Sequence, residues 1–181
     1  MRKTRVALLL LALLALLGAH LHPQYRVSVE GMELPGRYSA AALREGRRAA
    51  EEAAGEILRY EAKMPAVERR LCLSLRPAGD DVPALTAALL RPVSGIGEAD
   101  AVYVNGVRLG TVADGERFCE RLRDSIRTQM PQTAVSGNIS GRLELRRVYT
   151  RADANTDDAD MLLLVTGMAP VIYLDSAGRL A

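Results

Sequence analysis

The sequence contains no tryptophan, one phenylalanine (Phe118), two cysteines and two histidines in 181 residues. Each scarcity excludes something. A core built here must be aliphatic. The histidines, His20 and His22, lie near the N-terminus, far in sequence from Cys72, Cys119 and every later serine. A serine or cysteine nucleophile needs a base within hydrogen-bond reach, and none is close in sequence. Two cysteines without CxxC spacing, with no histidine after His22, do not make a zinc site. Neither H-E-x-x-H nor G-x-S-x-G occurs, and "GNISG" (Gly137 to Gly141) has its serine at the wrong position. "GIG" (Gly95 to Gly97) lacks the Lys-Ser/Thr of a phosphate loop and reads as a linker. No basic stripe interleaved with aromatics is visible, which argues against nucleic acid as a partner. The pairs Glu51/Glu52 and Asp80/Asp81 are adjacent in sequence and read as solvated. No catalytic, cofactor-binding or metal-ligating residue is assigned.

What is present begins at the N-terminus. "MRKTR" precedes an apolar run of fourteen residues, Val6 to Ala19. A basic region followed by an apolar one is the layout of an export signal, with the positive end kept inside. Removing Arg2, Lys3 and Arg5 from the 24 basic residues leaves 21 against 22 acidic ones, so the exported remainder is nearly neutral. Fourteen helical residues span about 21 Å against a hydrocarbon core of about 30 Å, which favours a cleaved peptide. The exit opposes cleavage, because Leu16 or Leu17 falls where a small residue is preferred. Residues 1–22 are therefore read as a signal anchor or a cleaved signal peptide. The protein is accordingly placed as a single-pass membrane protein with an extracytoplasmic C-terminal region, or alternatively as a secreted one.

The rest reads as α+β, with a repeated order of elements. "VYVNGVRLG" (Val102 to Gly110) alternates apolar residues about Asn105-Gly106, the strongest short-range hairpin signal. "VSVEGMELPG" (Val27 to Gly36) does the same about Glu30-Gly31, which makes Leu34 and Leu109 equivalent. Ser39 caps a helix whose periodic positions are Leu43, Gly46, Ala50, Ala53, Ile57 and Tyr60. Asp114 caps a second helix running to about Met130, through Phe118, Leu122 and Ile126. Ile57 and Ile126 are expected on the sheet-facing sides. "RRLCLSLR" then gives a strand with Leu71, Leu73 and Leu75 on one side, and "RLELRRVYT" gives its counterpart after the polar loop "TAVSGNISG". An acidic loop and a short helix close each copy. The expected architecture is an N-terminal membrane helix followed by two tandem ββαβ-type modules, residues 23–97 and 98–168. Residues 169–181, with "VIYLDSAGRL", start a third hairpin.

Cys72 and Cys119 both occupy core-like positions and read as buried thiols, although export permits a disulfide. "DANTDDADMLLL" places Asp153, Asn155 and Asp157 like the first half of an EF-hand loop. Its sixth position is Asp158 instead of glycine, and its twelfth is Leu164 instead of glutamate. The stretch therefore reads as a solvated loop ending in a helix cap, with calcium as the alternative. "NIS" at Asn138 matches a glycosylation sequon in a host with that machinery.

Over "VYVNGVRLGTVADGERFCERL" the chain resembles the N-terminal region of a group of Gram-positive envelope proteins. Those proteins start with a membrane segment and carry hairpin-helix modules of the type V-x-V-D/N-G-x-x-x-G-x-V-x-D. They often end in a lysostaphin-type zinc endopeptidase domain that cuts peptidoglycan. The resemblance spans residues 1 to 130 loosely and Val102 to Leu122 best. The histidine and aspartate ligands of the peptidase have no counterpart here. The resemblance thus implies a non-catalytic accessory or targeting module that contacts an envelope protein or a cell-wall component. The alternatives are the N-terminal fragment of a peptidoglycan hydrolase whose catalytic domain is missing, and a small-ligand or calcium-binding domain.

Overall fold

A computed structural model describes residues 21–181, so the apolar run from Val6 to Ala19 and the anchor assigned to it lie outside the described residues. The fold is mixed α+β, with four helices and three small antiparallel sheets among those residues. No helix of the described residues is long and apolar enough to cross a membrane. The chain divides into two compact units, Met1–Ser94 and Gly95–Ala181.

In the first unit, β1 (His22–Val29) turns into the two-residue β2 (Met32–Glu33), and α1 (Ala40–Leu58) leads to β3 (Val67–Ser74) and α2 (Val82–Leu90). The sheet order is β2-β1-β3. Glu30 (φ 49°) and Gly31 (φ 81°) both take the left-handed conformation, as a type I′ turn demands. The Ser39 hydroxyl accepts from Ala42 N–H at 3.1 Å and so starts α1. Asp80 in turn accepts from the Ser39 hydroxyl at 2.9 Å, tying the loop before α2 to the cap of α1.

The buried face of α1 is Ala42, Leu43, Gly46, Ala50, Ala54 and Leu58. The expected stripe is met as far as Ala50 and then runs one residue later than Ala53 and Ile57. The helix ends at Leu58 with Arg59 left-handed (φ 66°), which leaves Tyr60 outside it and exposed. Gly46 explains how α2 packs: a Cβ there would meet Leu85 Cδ2 at 2.6 Å. A small residue at this point lets the two helices come together.

In the second unit, β4 (Ile96–Val104) and β5 (Val107–Val112) form the Asn105-Gly106 hairpin, with φ values of 51° and 81°. Then come α3 (Gly115–Thr128), β6 (Ser136–Ile139), β7 (Leu143–Arg151), α4 (Asp158–Met168) and β8 (Val171–Leu174). The main sheet is β5-β4-β7, which places the first hairpin strand in the middle, as in β2-β1-β3. Leu109 lies at an irregularity: Val102 faces Gly110 while Tyr103 faces Arg108, so the hairpin bulges there. Leu109 is therefore only half-buried, whereas Leu34 is buried. Asn105 also anchors the next strand. Its backbone N–H donates to Arg142 O at 2.9 Å, and its side-chain oxygen accepts from Arg142 N–H at 2.9 Å.

Two stretches read as irregular are strands. Gly95-Ile96-Gly97 is no linker, because Ile96 and Gly97 already pair with Arg151 and Thr150. "SGNI" is β6 and pairs with β8, from Ser136↔Leu174 to Ile139↔Val171. Its polar composition hides a strand made possible by Gly137, where a Cβ would strike Ile126 and Tyr173 at 2.7 and 2.8 Å. Residues after β8 fold back on it, with Leu174 bridged to Leu180. The Asp175 carboxylate closes that turn by accepting from Ala177 N–H at 2.8 Å and Arg179 N–H at 2.9 Å.

Those backbone donors, chiefly Arg179 N–H, hold the Asp175 carboxyl below its ordinary pKa. A depressed folded-state pKa stabilises the turn above the unfolded-state value, and this contribution disappears as pH falls through the folded-state value. We expect a carboxyl-carbon NMR titration to place the Asp175 midpoint below that of an unstructured aspartate. Asp175→Ala should remove this part of the acid sensitivity while leaving β8 paired to β6.

Candidate functional site

The most concentrated polar chemistry lies across β4 and β7. Opposite residues on antiparallel strands share a face, so the pairs Glu98↔Tyr149 and Asp100↔Arg147 put four polar side chains together. Asp100 is buried and carries the arrangement. One carboxylate oxygen accepts from Gly115 N–H at 2.9 Å, at the first turn of α3, and the other from Arg147 Nε at 3.0 Å. Glu98 accepts from the Tyr149 hydroxyl at 3.1 Å and faces Arg147 Nη1 at 3.5 Å. A carboxylate at a helix N-terminus meets both open N–H groups and the positive end of the macrodipole. Gly115 is required for the approach, since a Cβ would lie 2.9 Å from Asp100 Oδ2 and 2.8 Å from Leu145 Cδ1. The shared carboxylate joins β4, β7 and α3, which identifies this cluster as a brace for the second unit. Its neighbours Asp100 and Arg147 are 47 residues apart in sequence.

The acidic loop is similarly committed. Asp153 chelates Arg151 at 3.0 and 2.6 Å, and Asp157 caps α4 by accepting from Ala159 N–H at 2.9 Å. Asp158 pairs with Arg121 at 3.3 Å. The Asn155 side-chain oxygen is buried without a hydrogen-bond partner. No group of three His, Cys, Asp or Glu side chains with metal-holding geometry occurs among the described residues.

Both cysteines are free and half-buried rather than fully enclosed. The Cys72 thiol donates to Gln24 O at 3.5 Å across the β1–β3 pair. Burial, set partly against the nearby Arg123 charge, pushes the Cys119 thiol up from its ordinary pKa, which disfavours the reactive thiolate.

Apolar surface is the other resource. In the second unit Ala159, Leu162, Leu163 and Thr166 of α4, with Val171 and Tyr173 of β8, line an open groove of about 590 Å³. Leu163 on its rim is 72% exposed. Ser125 and Gln129, at the end of α3, add polar atoms to the same groove. In the first unit Leu71, Leu73 and Leu75 share one side of the β3 segment, as expected, yet are 60, 59 and 64% exposed. The hairpin end of that sheet face is covered: Val27 and Val29 are buried, and Leu43, Leu85 and Leu89 line a small pocket with Val67 and Arg69. The other end, where Pro23 faces Leu73 and Tyr25 faces Leu71, is open.

No protein-family model, curated protein or solved structure matches this chain.

Proposed function

We propose that the chain is an exported, membrane-tethered accessory module of the cell envelope that works by contact rather than catalysis. It comprises two tandem units of the hairpin-helix-strand type. The observation that carries this reading is the α4–β8 groove, where apolar side chains stay open to solvent on a unit whose main charged cluster is spent on bracing. Exposed apolar surface rimmed by polar atoms is a common mark of protein-protein contact. The basic N-terminus and apolar run support placement of both units outside the cytoplasm.

Two measurements in living cells test it. Protease added to intact protoplasts should digest the bulk of the chain, and full protection would overturn export. A photo-crosslinking residue at Leu163, in the groove, should give a defined adduct with an envelope protein or with peptidoglycan. The same residue at Arg108, exposed near the start of β5, should give none. Ala159→Arg, which fills the groove, should abolish the Leu163 adduct. An adduct pattern equal at both positions, or absent at both, would overturn the contact reading.

A further inference from the structure

The open end of the β1–β3 sheet carries three leucines that none of the described elements of the first unit covers. Their place in the chain gives them an occupant. The apolar run ends at Ala19, and His22 already begins β1, where it pairs with Ser74. Leu73 and Leu75 flank that paired residue. Three extended residues reach at most about 10 Å, so a run held in a bilayer holds these leucines close to the membrane surface. Charge agrees with apolar contact. The segment 69–76 reads Arg-Arg-Leu-Cys-Leu-Ser-Leu-Arg, with three arginines and no acidic residue. Alternation sets Arg69 on the leucine face, exposed at the margin of the covered end where it lines the pocket with Leu43 and Leu85, and Arg70 on the opposite face, while Arg76 follows Leu75 just beyond the strand. Apolar side chains that enter the headgroup boundary beside arginines that meet anionic headgroups are the two components of interfacial binding.

We propose that Leu71, Leu73 and Leu75, with Pro23, form a membrane-surface contact that lays the open end of the β1–β3 sheet on a leaflet bearing anionic lipids. This rests on the tethered reading above. The contact limits the rotation of the first unit about its tether.

Because the chain has no tryptophan, a single one reports its own surroundings. Full-length Leu73→Trp is reconstituted into vesicles of phosphatidylcholine alone or with phosphatidylglycerol, each with and without brominated acyl chains. Tyr60→Trp is the control, since Tyr60 is equally exposed but precedes the opposite end of β3. With phosphatidylglycerol, Leu73→Trp emission should shift to the blue and lose intensity to brominated lipid, and Leu71→Trp should repeat the result. High salt should weaken the effect, and Tyr60→Trp should show neither change. Water-like emission from Leu73→Trp would overturn the proposal. So would blue emission without bromine quenching, because the site would then be covered by a second copy or by the chain's own N-terminal segment. Flotation separates the two readings. A chain that does not float with vesicles refutes the tether and this contact together, whereas one that floats with Leu73→Trp unquenched refutes the contact alone.

Discussion

Phe118→Ala should lower the stability of the second unit by about 3–5 kcal/mol. Phe118 is completely buried and is the one fully buried aromatic ring in a cluster otherwise made of Val102, Val104, Val112, Leu122, Ile126, Met161, Val165 and Ala169. It reaches the sheet from the first turn of α3, so its removal opens a void between helix and strands at once. Aliphatic neighbours on four different elements relax into such a void only in part. Urea denaturation followed by circular dichroism reads the effect as a lower midpoint at unchanged slope. Leu163→Ala, on the exposed rim of the groove, should stay near wild type. Equal effects for the two would place the core of this unit elsewhere.

The parts of this fold that sequence shows are those governed by local rules. Asn105-Gly106 and Glu30-Gly31 announce their hairpins because only certain residues accept left-handed φ at both turn positions. Ser39 and Asp114 announce their helices because a side-chain oxygen must meet an open N–H there. What stayed hidden depends on residues distant in sequence. Ala53/Ile57 and Ala54/Leu58 fit the helical period of α1 about equally well. The packing of the first unit selects the second pair, and no sequence window contains that information. The strand "SGNI" has neither alternation nor β-branched enrichment before Ile139, and it is held by pairing with β8 and by the closeness that Gly137 permits. The start of β4 was masked in the same way. "GEADA" looks like a loop, but a central strand with neighbours on both sides accepts small residues on one face and a braced carboxylate on the other. Of the surface features, the leucine alternation of β3 was legible, while its exposure was not. Periodicity gives the side a residue faces, and only tertiary structure decides whether that side is covered.

The brace at Asp100 was the least legible element, and its removal carries the second large expected effect. Asp100→Ala should cost about 2–4 kcal/mol. The reason lies less in the ion pair than in the helix. Arg147 is 66% exposed, so its guanidinium rehydrates once the carboxylate is gone, and Arg147→Ala should cost no more than about 1 kcal/mol. Gly115 N–H has no such recourse, because its bond to Asp100 is buried at the junction of α3 with the sheet. The truncation leaves that donor without an acceptor and also opens the space into which Leu145 and Gly115 pack. Asp100→Asn separates the contributions: its side-chain oxygen still accepts from Gly115 N–H, while the charge that faces Arg147 and the macrodipole is lost. The expected order of destabilisation is Asp100→Ala, then Asp100→Asn, then Arg147→Ala, read from denaturation midpoints. In the double variant, losing Arg147 should add little to the loss of Asp100. If Arg147→Ala proved as damaging as Asp100→Ala, the carboxylate would act mainly through its ion pair, and the account of α3 as braced at its first turn would fail.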